Sequence, residues 1–146
     1  MDYKFYGSGT KDVKPICEKY NKIKNQRDLY DILSNIWCKD TCAPRMRDRW
    51  NIDNKTLGQC SITAFLVQDI FGGKVYGIKM NDGNYHCYNV IGDVKFDLTS
   101  EQFSYKLEYD DLYEQDRNVH FSKKEKYERY LYLSNKLDEY LNNRNN

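Results

Sequence analysis

Gly58-Gln59-Cys60-Ser61-Ile62-Thr63-Ala64-Phe65-Leu66-Val67-Gln68-Asp69-Ile70-Phe71-Gly72-Gly73 is the run around which the rest of the chain must be arranged. Ile62, Ala64, Phe65, Leu66, Val67, Ile70 and Phe71 are apolar almost all round a helical wheel, and Gly72-Gly73 supplies a C-terminal stop. A helix of that kind has no solvent face, so it is predicted to lie at the centre of the molecule. Cys60 stands at its first turn, where unpaired backbone N–H groups and the helix dipole favour negative charge and lower a thiol's pKa. The thiolate is the reactive form of cysteine, and the Gly58-Gln59 approach lets backbone come close to a substrate.

Downstream, β-rich runs at Val75–Met80, Tyr85–Ile91 and Val94–Leu98 are separated by Asn81-Asp82-Gly83-Asn84 and by Gly92-Asp93. Both separators are hairpin signals, so a three-stranded antiparallel meander is expected. A two-residue turn at Gly92-Asp93 sets Ile91 against Val94, Tyr88 against Asp97 and His86 against Thr99. His86 and Asp97 are then diagonal neighbours on one face, within side-chain reach. Parity places the more apolar Ile78, Cys87, Val94, Phe96 and Leu98 on the opposite face, which the first or last helix is expected to cover.

Upstream, Leu29, Ile32, Leu33, Ile36 and Trp37 recur at helical spacing, predicting an amphipathic helix over 26–37. Residues 38–59 show no period and read as a long loop carrying Arg45, Arg47, Arg49 and Trp50, side chains suited to a carboxylate or phosphate but more simply a solvated loop face with Trp50 tucked inward. Residues 1–25 are polar, with Gly7-Ser8-Gly9 and Pro15, and read as a loosely ordered entry. Beyond Thr99, the stretch Glu108-Tyr109-Asp110-Asp111 reads as solvated. Ser122 with Glu125 forms a capping-box pattern opening a final helix over 122–141, on which Tyr127, Tyr130, Leu131, Leu137 and Leu141 are apolar. His120 reads as a surface residue, and the Asn-rich tail is expected to fray.

The chain has 146 residues, 40% hydrophobic and 15% aromatic, which suits a single domain over 1–146, with a core at 26–103. Lys plus Arg total 23 against 22 acids, so no global field favours nucleic acid or a membrane surface. No basic start followed by an apolar run opens the chain, and five cysteines in such a context read as free thiols of a cytoplasmic protein. Cys38 and Cys42 are spaced like half a zinc site, with Cys17 a distant third ligand. Neither histidine is near them in sequence, so no metal and no cofactor is called for.

The elements Gly58-Gln59-Cys60, Asp69-Ile70-Phe71-Gly72-Gly73, His86-Cys87-Tyr88-Asn89 and Asp97-Leu98-Thr99-Ser100-Glu101-Gln102-Phe103 together resemble the YunG-like family of small bacterial proteins. More distantly, glycine-x-cysteine, histidine-x-aromatic and aspartate-x-threonine in that order are similar to the core of transglutaminase-like proteins. That resemblance implies Cys60 as nucleophile, His86 as base and Asp97 as its orienter. Two departures stand out. Lys55 occupies a place where proline is expected after the asparagine, and Cys87 replaces the aromatic residue usual after the histidine.

The expected fold is therefore α+β and papain-like (transglutaminase-like), with a central helix headed by Cys60, a three-stranded antiparallel sheet, and flanking N- and C-terminal helices. The backbone N–H of Cys60 is the first oxyanion donor candidate. Gln59 and Asn54 are the side-chain candidates for the second, and Asn54 lies six residues before the cysteine, the offset at which papain-like enzymes place a glutamine. Trp50 and Asn89 complete the expected site. The expected function is a cysteine hydrolase or acyltransferase acting on an amide or thioester of a peptide, protein or small molecule. Two alternatives stand beside it: a non-catalytic peptide- or protein-binding module, and a redox-sensitive protein in which Cys60 and Cys87 form a disulfide.

Overall fold

The computed structural model describes residues 2–144. Helix α1 (Gln26–Ile36) begins at Asn25, whose side chain accepts the Asp28 N–H at 2.9 Å, and buries Leu29, Ile32, Leu33 and Ile36. Helix α2 (Cys60–Phe71) is buried along almost its whole length, and Gly72 ends it with φ 82°. Trp37, just past α1, ties the two helices together by donating its Nε1–H to Thr63 Oγ1 at 3.0 Å.

The sheet follows directly. Strands β1 (Lys74–Lys79), β2 (Tyr85–Ile91) and β3 (Val94–Phe96) form the expected meander, with Ile91 opposite Val94 and Asn89 opposite Phe96. The sheet has a fourth strand, β4 (Tyr113–Glu114), antiparallel to β1, and the strand order is β3-β2-β1-β4. This edge strand is two exposed residues long, too short to leave a pattern in the sequence. β3 is shorter than expected because Asp97 leaves the meander and donates its N–H to Tyr6 O at 3.0 Å.

That contact belongs to a segment expected to be loosely ordered. Residues 2–25 instead deliver Phe5, Val13, Tyr20 and Ile23 to the core. Gln26, fully buried, fastens the segment by accepting from Val13 N–H and donating to Lys11 O, each at 2.9 Å. These anchors lie singly between polar residues, so no window of sequence shows a period.

A short helix α3 (Arg117–Phe121) precedes α4 (Lys124–Asn142). The capping box does not form. Lys123 occupies the N-cap, Ser122 closes α3 and donates to Val119 O, and Glu125 pairs with Arg129. The buried stripe of α4 is Tyr130, Leu133, Leu137 and Leu141, whereas Tyr127 and Leu131 are about two-fifths exposed (43% and 40%). The chain end is held as far as Arg144, which forks onto Asp28 at 2.7 and 2.9 Å; Asn145 and Asn146 of the Asn-rich tail lie outside the described residues. Among the described residues no helix is long and apolar enough to cross a membrane.

The layers are the sheet, then α2 across it, then α4 behind α2 with α1 beside α4. Cys87, Val94, Phe96 and Leu98 are buried in this core, and Asn89 donates to Ala64 O of α2 at 2.9 Å. The opposite face, carrying His86 and Tyr88, is covered by coil between Thr99 and Leu112 instead of by a helix. Tyr109 from that coil packs edge-on against Tyr88 at 4.8 Å and stacks on Tyr6 at 3.8 Å. The first or last helix was expected over the face of Cys87, Val94, Phe96 and Leu98, but α2 covers it instead, and Ile78, expected on that face, pairs with His86 and so lies on the other.

Candidate active site

The Cys60 thiol sits where α2 starts, against the opening residues of β2, with Sγ 4.0 Å from Tyr85 O. It interacts with two side chains of that strand, the His86 imidazole and the Cys87 thiol. His86 is 2% exposed and its Nε2 lies 2.6 Å from Asp97 Oδ2. Its Nδ1 is buried with no hydrogen-bonding partner. The imidazole is thus held at one nitrogen by a carboxylate and left open at the other toward the sulfur.

Asp97 is itself held from three directions. Its Oδ1 accepts the Thr99 N–H at 3.0 Å and the Thr99 hydroxyl at 3.2 Å, and its Oδ2 accepts the Tyr109 hydroxyl at 2.8 Å as well as His86. Phe103 packs edge-on against the imidazole at 4.8 Å. Each contact removes a rotamer from the pair, so the orientation of His86 is fixed by packing as well as by charge.

The charge states follow from these contacts. Burial alone would push the His86 pKa down, but the Asp97 carboxylate and the Cys60 sulfur outweigh it and lift the imidazole to about 10. The Cys60 thiol is held well below the ordinary cysteine range, first by the S–H of Cys87 donating to it, against the opposing effect of burial, and then by His86. Cys87 is driven the other way, because it donates to Cys60 and is buried. Both shifts favour a thiolate beside an imidazolium, the form in which a cysteine is nucleophilic.

Cys60 is partly exposed and lines a cavity of about 560 Å³ together with Ser61, Tyr85 and His86. Phe103 and Gln102 form a second wall, and Gln115, His120 and Lys126 a third. Of the loop cations, Arg45 and Arg49 reach the rim, while Arg47 turns back onto Cys42 O and Asp40 O.

The accessory residues expected from the sequence lie elsewhere. Gln59 is fully buried, donates to Cys38 O at 3.2 Å and does not line the cavity. Asn54 sits in a short 3-10 turn (Ile52–Asn54) away from it, since the loop expected over 38–59 is a chain of such turns that carries the asparagine outward. Trp50 spends its Nε1–H on Lys55 O at 3.0 Å, and Asn89 spends its amide on α2. Neither faces the cavity, because parity sends Asn89 to the α2 side of the sheet.

Several residues were missed, Gln115 and Lys126 of the cavity wall among them. Tyr109 lay in a stretch read as solvated; its position two residues from Asp111, whose carboxylate and N–H engage Tyr88, was not visible without the fold. His120 is half-buried and lines the cavity, with Nε2 2.8 Å from Gln115 Oε1 and Nδ1 2.9 Å from Lys126 Nζ. No group of three or more His, Cys, Asp or Glu side chains assembles as a metal site among the described residues.

The class so defined is an α+β protein with a four-stranded antiparallel sheet and a cysteine, histidine and aspartate clustered where a central helix meets that sheet. A family model described as "YunG protein" matches residues 25–142, and the chain belongs to that family. It is 36% identical over 78 residues to "Uncharacterized protein YunG" of Bacillus subtilis (strain 168), a match covering 53% of this chain and 63% of that protein. No solved structure matches the chain.

Proposed function

We propose that the chain is a papain-like or transglutaminase-like cysteine enzyme that cleaves or transfers the acyl group of an amide or thioester through a thioester on Cys60. The observation that carries this is the buried His86–Asp97 pair, 2.6 Å apart, whose remaining nitrogen is unpartnered beside a thiol that opens onto a cavity.

In the proposed cycle the Cys60 thiolate attacks the carbonyl carbon. The oxygen takes up the negative charge next to the first N–H groups of α2, which have no intrahelical acceptor. The imidazolium of His86 gives its proton to the leaving amine or thiol, the carbon–nitrogen or carbon–sulfur bond breaks, and the acyl group remains on sulfur. His86, now neutral, takes a proton from water or from an acceptor amine, which attacks the thioester and releases Cys60 as the thiolate. Asp97 keeps the imidazole in position and stays ionised throughout.

The test is the rate at which iodoacetamide labels each of the five cysteines, read by peptide mass spectrometry. Cys60 is expected to react at least about tenfold faster than the others at neutral pH, and His86→Ala to remove most of that advantage. Equal labelling of all cysteines, with no effect of His86→Ala, sinks the proposal.

A further inference from the structure

A second group of side chains lining the cavity has a chemistry of its own. Lys126 of α4 donates from Nζ to His120 Nδ1 at 2.9 Å, which fixes the imidazole so that its Nε2–H donates to Gln115 Oε1 at 2.8 Å. Phe65 packs on the other side of the His120 ring, 5.1 Å between centroids. A neutral imidazole therefore aims the lysine. Burial, followed by the charge of Lys126, lowers the His120 pKa to about 4, so the imidazole accepts this hydrogen bond as an uncharged ring.

A half-buried ammonium ordinarily has a carboxylate partner. Among the described residues every side-chain ion pair goes to another basic group, and none includes Lys126. Apart from the sulfurs of Cys60 and Cys87, which favour its charged form, the lining offers Lys126 little negative charge. Arg45, Arg49 and Lys123 are cations on the exposed rim, and Arg129 is already committed to Glu125 and to Thr41 O. One acid, Asp82, faces the space, and it lies on the exposed β1–β2 turn. In a chain of net charge +1, this is a local concentration of positive charge in a concave site, which focuses the field on whatever enters.

We propose that Lys126, oriented by His120, is the specificity-determining residue of the Cys60 cavity, and that the substrate carries a carboxylate that pairs with Lys126 while its carbonyl meets the thiol. With one of its three N–H donors given to His120, the ammonium keeps two for a carboxylate. The placement of the reacting carbonyl rests on the acyl-transfer reading of Cys60; the anion site itself does not.

The experiment has two arms. In the first, Cys60 of the intact protein is alkylated by iodoacetate or by iodoacetamide, reagents of similar shape that differ in charge. In both, the sulfur–carbon bond forms as iodide leaves. The ratio of the two rates is normalised to that of free cysteine. It is expected to exceed one by about fivefold or more and to collapse in high salt, as a charge interaction screened by ions must. It should fall toward one in Lys126→Met and survive in Lys126→Arg. A normalised ratio of one, or one unaltered by Lys126→Met, overturns the proposal.

In the second arm, Cys60→Ser protein is titrated with glutarate while the His120 imidazole is followed by NMR. A saturable shift that disappears when Lys126→Met is added supports the site; no shift overturns it, and a shift with inorganic phosphate but not glutarate overturns the carboxylate assignment. Slow iodoacetamide labelling with glutarate binding intact removes the acyl-enzyme reading and leaves this site standing, whereas fast labelling with no anion preference does the reverse.

Discussion

Replacing Cys60 by serine removes the negative partner of His86 at the centre of the site, and the stability of the variant should depend on pH where that of the wild type does not. In the folded wild type the Cys60–His86 pair holds one proton, on the imidazole. In the unfolded chain, between the ordinary histidine value of 6.5 and the ordinary cysteine value of 9.0, it also holds one, on the sulfur. Proton counts match, so this pair contributes no slope across that window. Below it the unfolded chain takes up a second proton, and stability is lost as the pH falls through the depressed value of Cys60. Above it the unfolded thiol ionises while folded His86 holds its proton to about 10, and stability falls as the pH rises.

In Cys60→Ser only the imidazole titrates. Its folded value is raised, chiefly by Asp97, so its contribution is complete below 6.5 and is lost upward from there. Each pH unit of full linkage is worth about 1.4 kcal/mol, so the variant loses up to ~3 kcal/mol relative to wild type across the window. Urea unfolding at about pH 6, 7, 8 and 9 measures this directly, and groups common to both proteins cancel in the difference. A wild type that declines as steeply as the variant means that the folded thiol is protonated. That result refutes the thiolate–imidazolium pair, whereas a variant as flat as the wild type shows that Asp97 alone does not keep His86 charged once the sulfur is gone.

Tyr109→Phe removes the hydroxyl that donates to Asp97 Oδ2 at 2.8 Å but keeps the ring on Tyr6. The expected cost is about 1.5–3 kcal/mol, the range for hydrogen bonds to charged groups, read by urea unfolding, together with slower alkylation of Cys60 as His86 loses its anchored partner. Phe5→Ala tests the packing of the N-terminal segment. The ring is 2% exposed and stacked on Tyr30 at 5.0 Å, so its loss should cost about 3–5 kcal/mol in urea, whereas a loosely attached segment would lose under about 1 kcal/mol.

Much of the architecture was legible because its signals are local. The all-round apolar pattern of Ile62 to Phe71, the stop at Gly72, and the Gly92-Asp93 turn each constrain a few consecutive residues, and the helix, its end and the hairpin register stand where those patterns put them. The pairing of Ile91 with Val94 placed His86 and Asp97 within reach, and they meet at 2.6 Å. The α4 stripe was read in part: Tyr130, Leu137 and Leu141 are buried as expected, but Leu133 was passed over in favour of the exposed Tyr127 and Leu131. The accessory residues failed for a related reason. Asn54, Gln59, Trp50 and Asn89 were chosen by distance along the chain from Cys60 or His86, but short turns and strand alternation direct them away from the cavity.

Periodicity and turn chemistry were enough to establish the three main helices, the meander and the residue that heads the central helix, since those depend on neighbours a few positions apart. The cover over His86, the anchoring of residues 2–25, and the meeting of Lys126, His120 and Cys60 around one cavity depend on contacts between residues far apart in the chain. Such contacts are selected by the packing of whole elements against one another, and nothing in a short window of sequence records them.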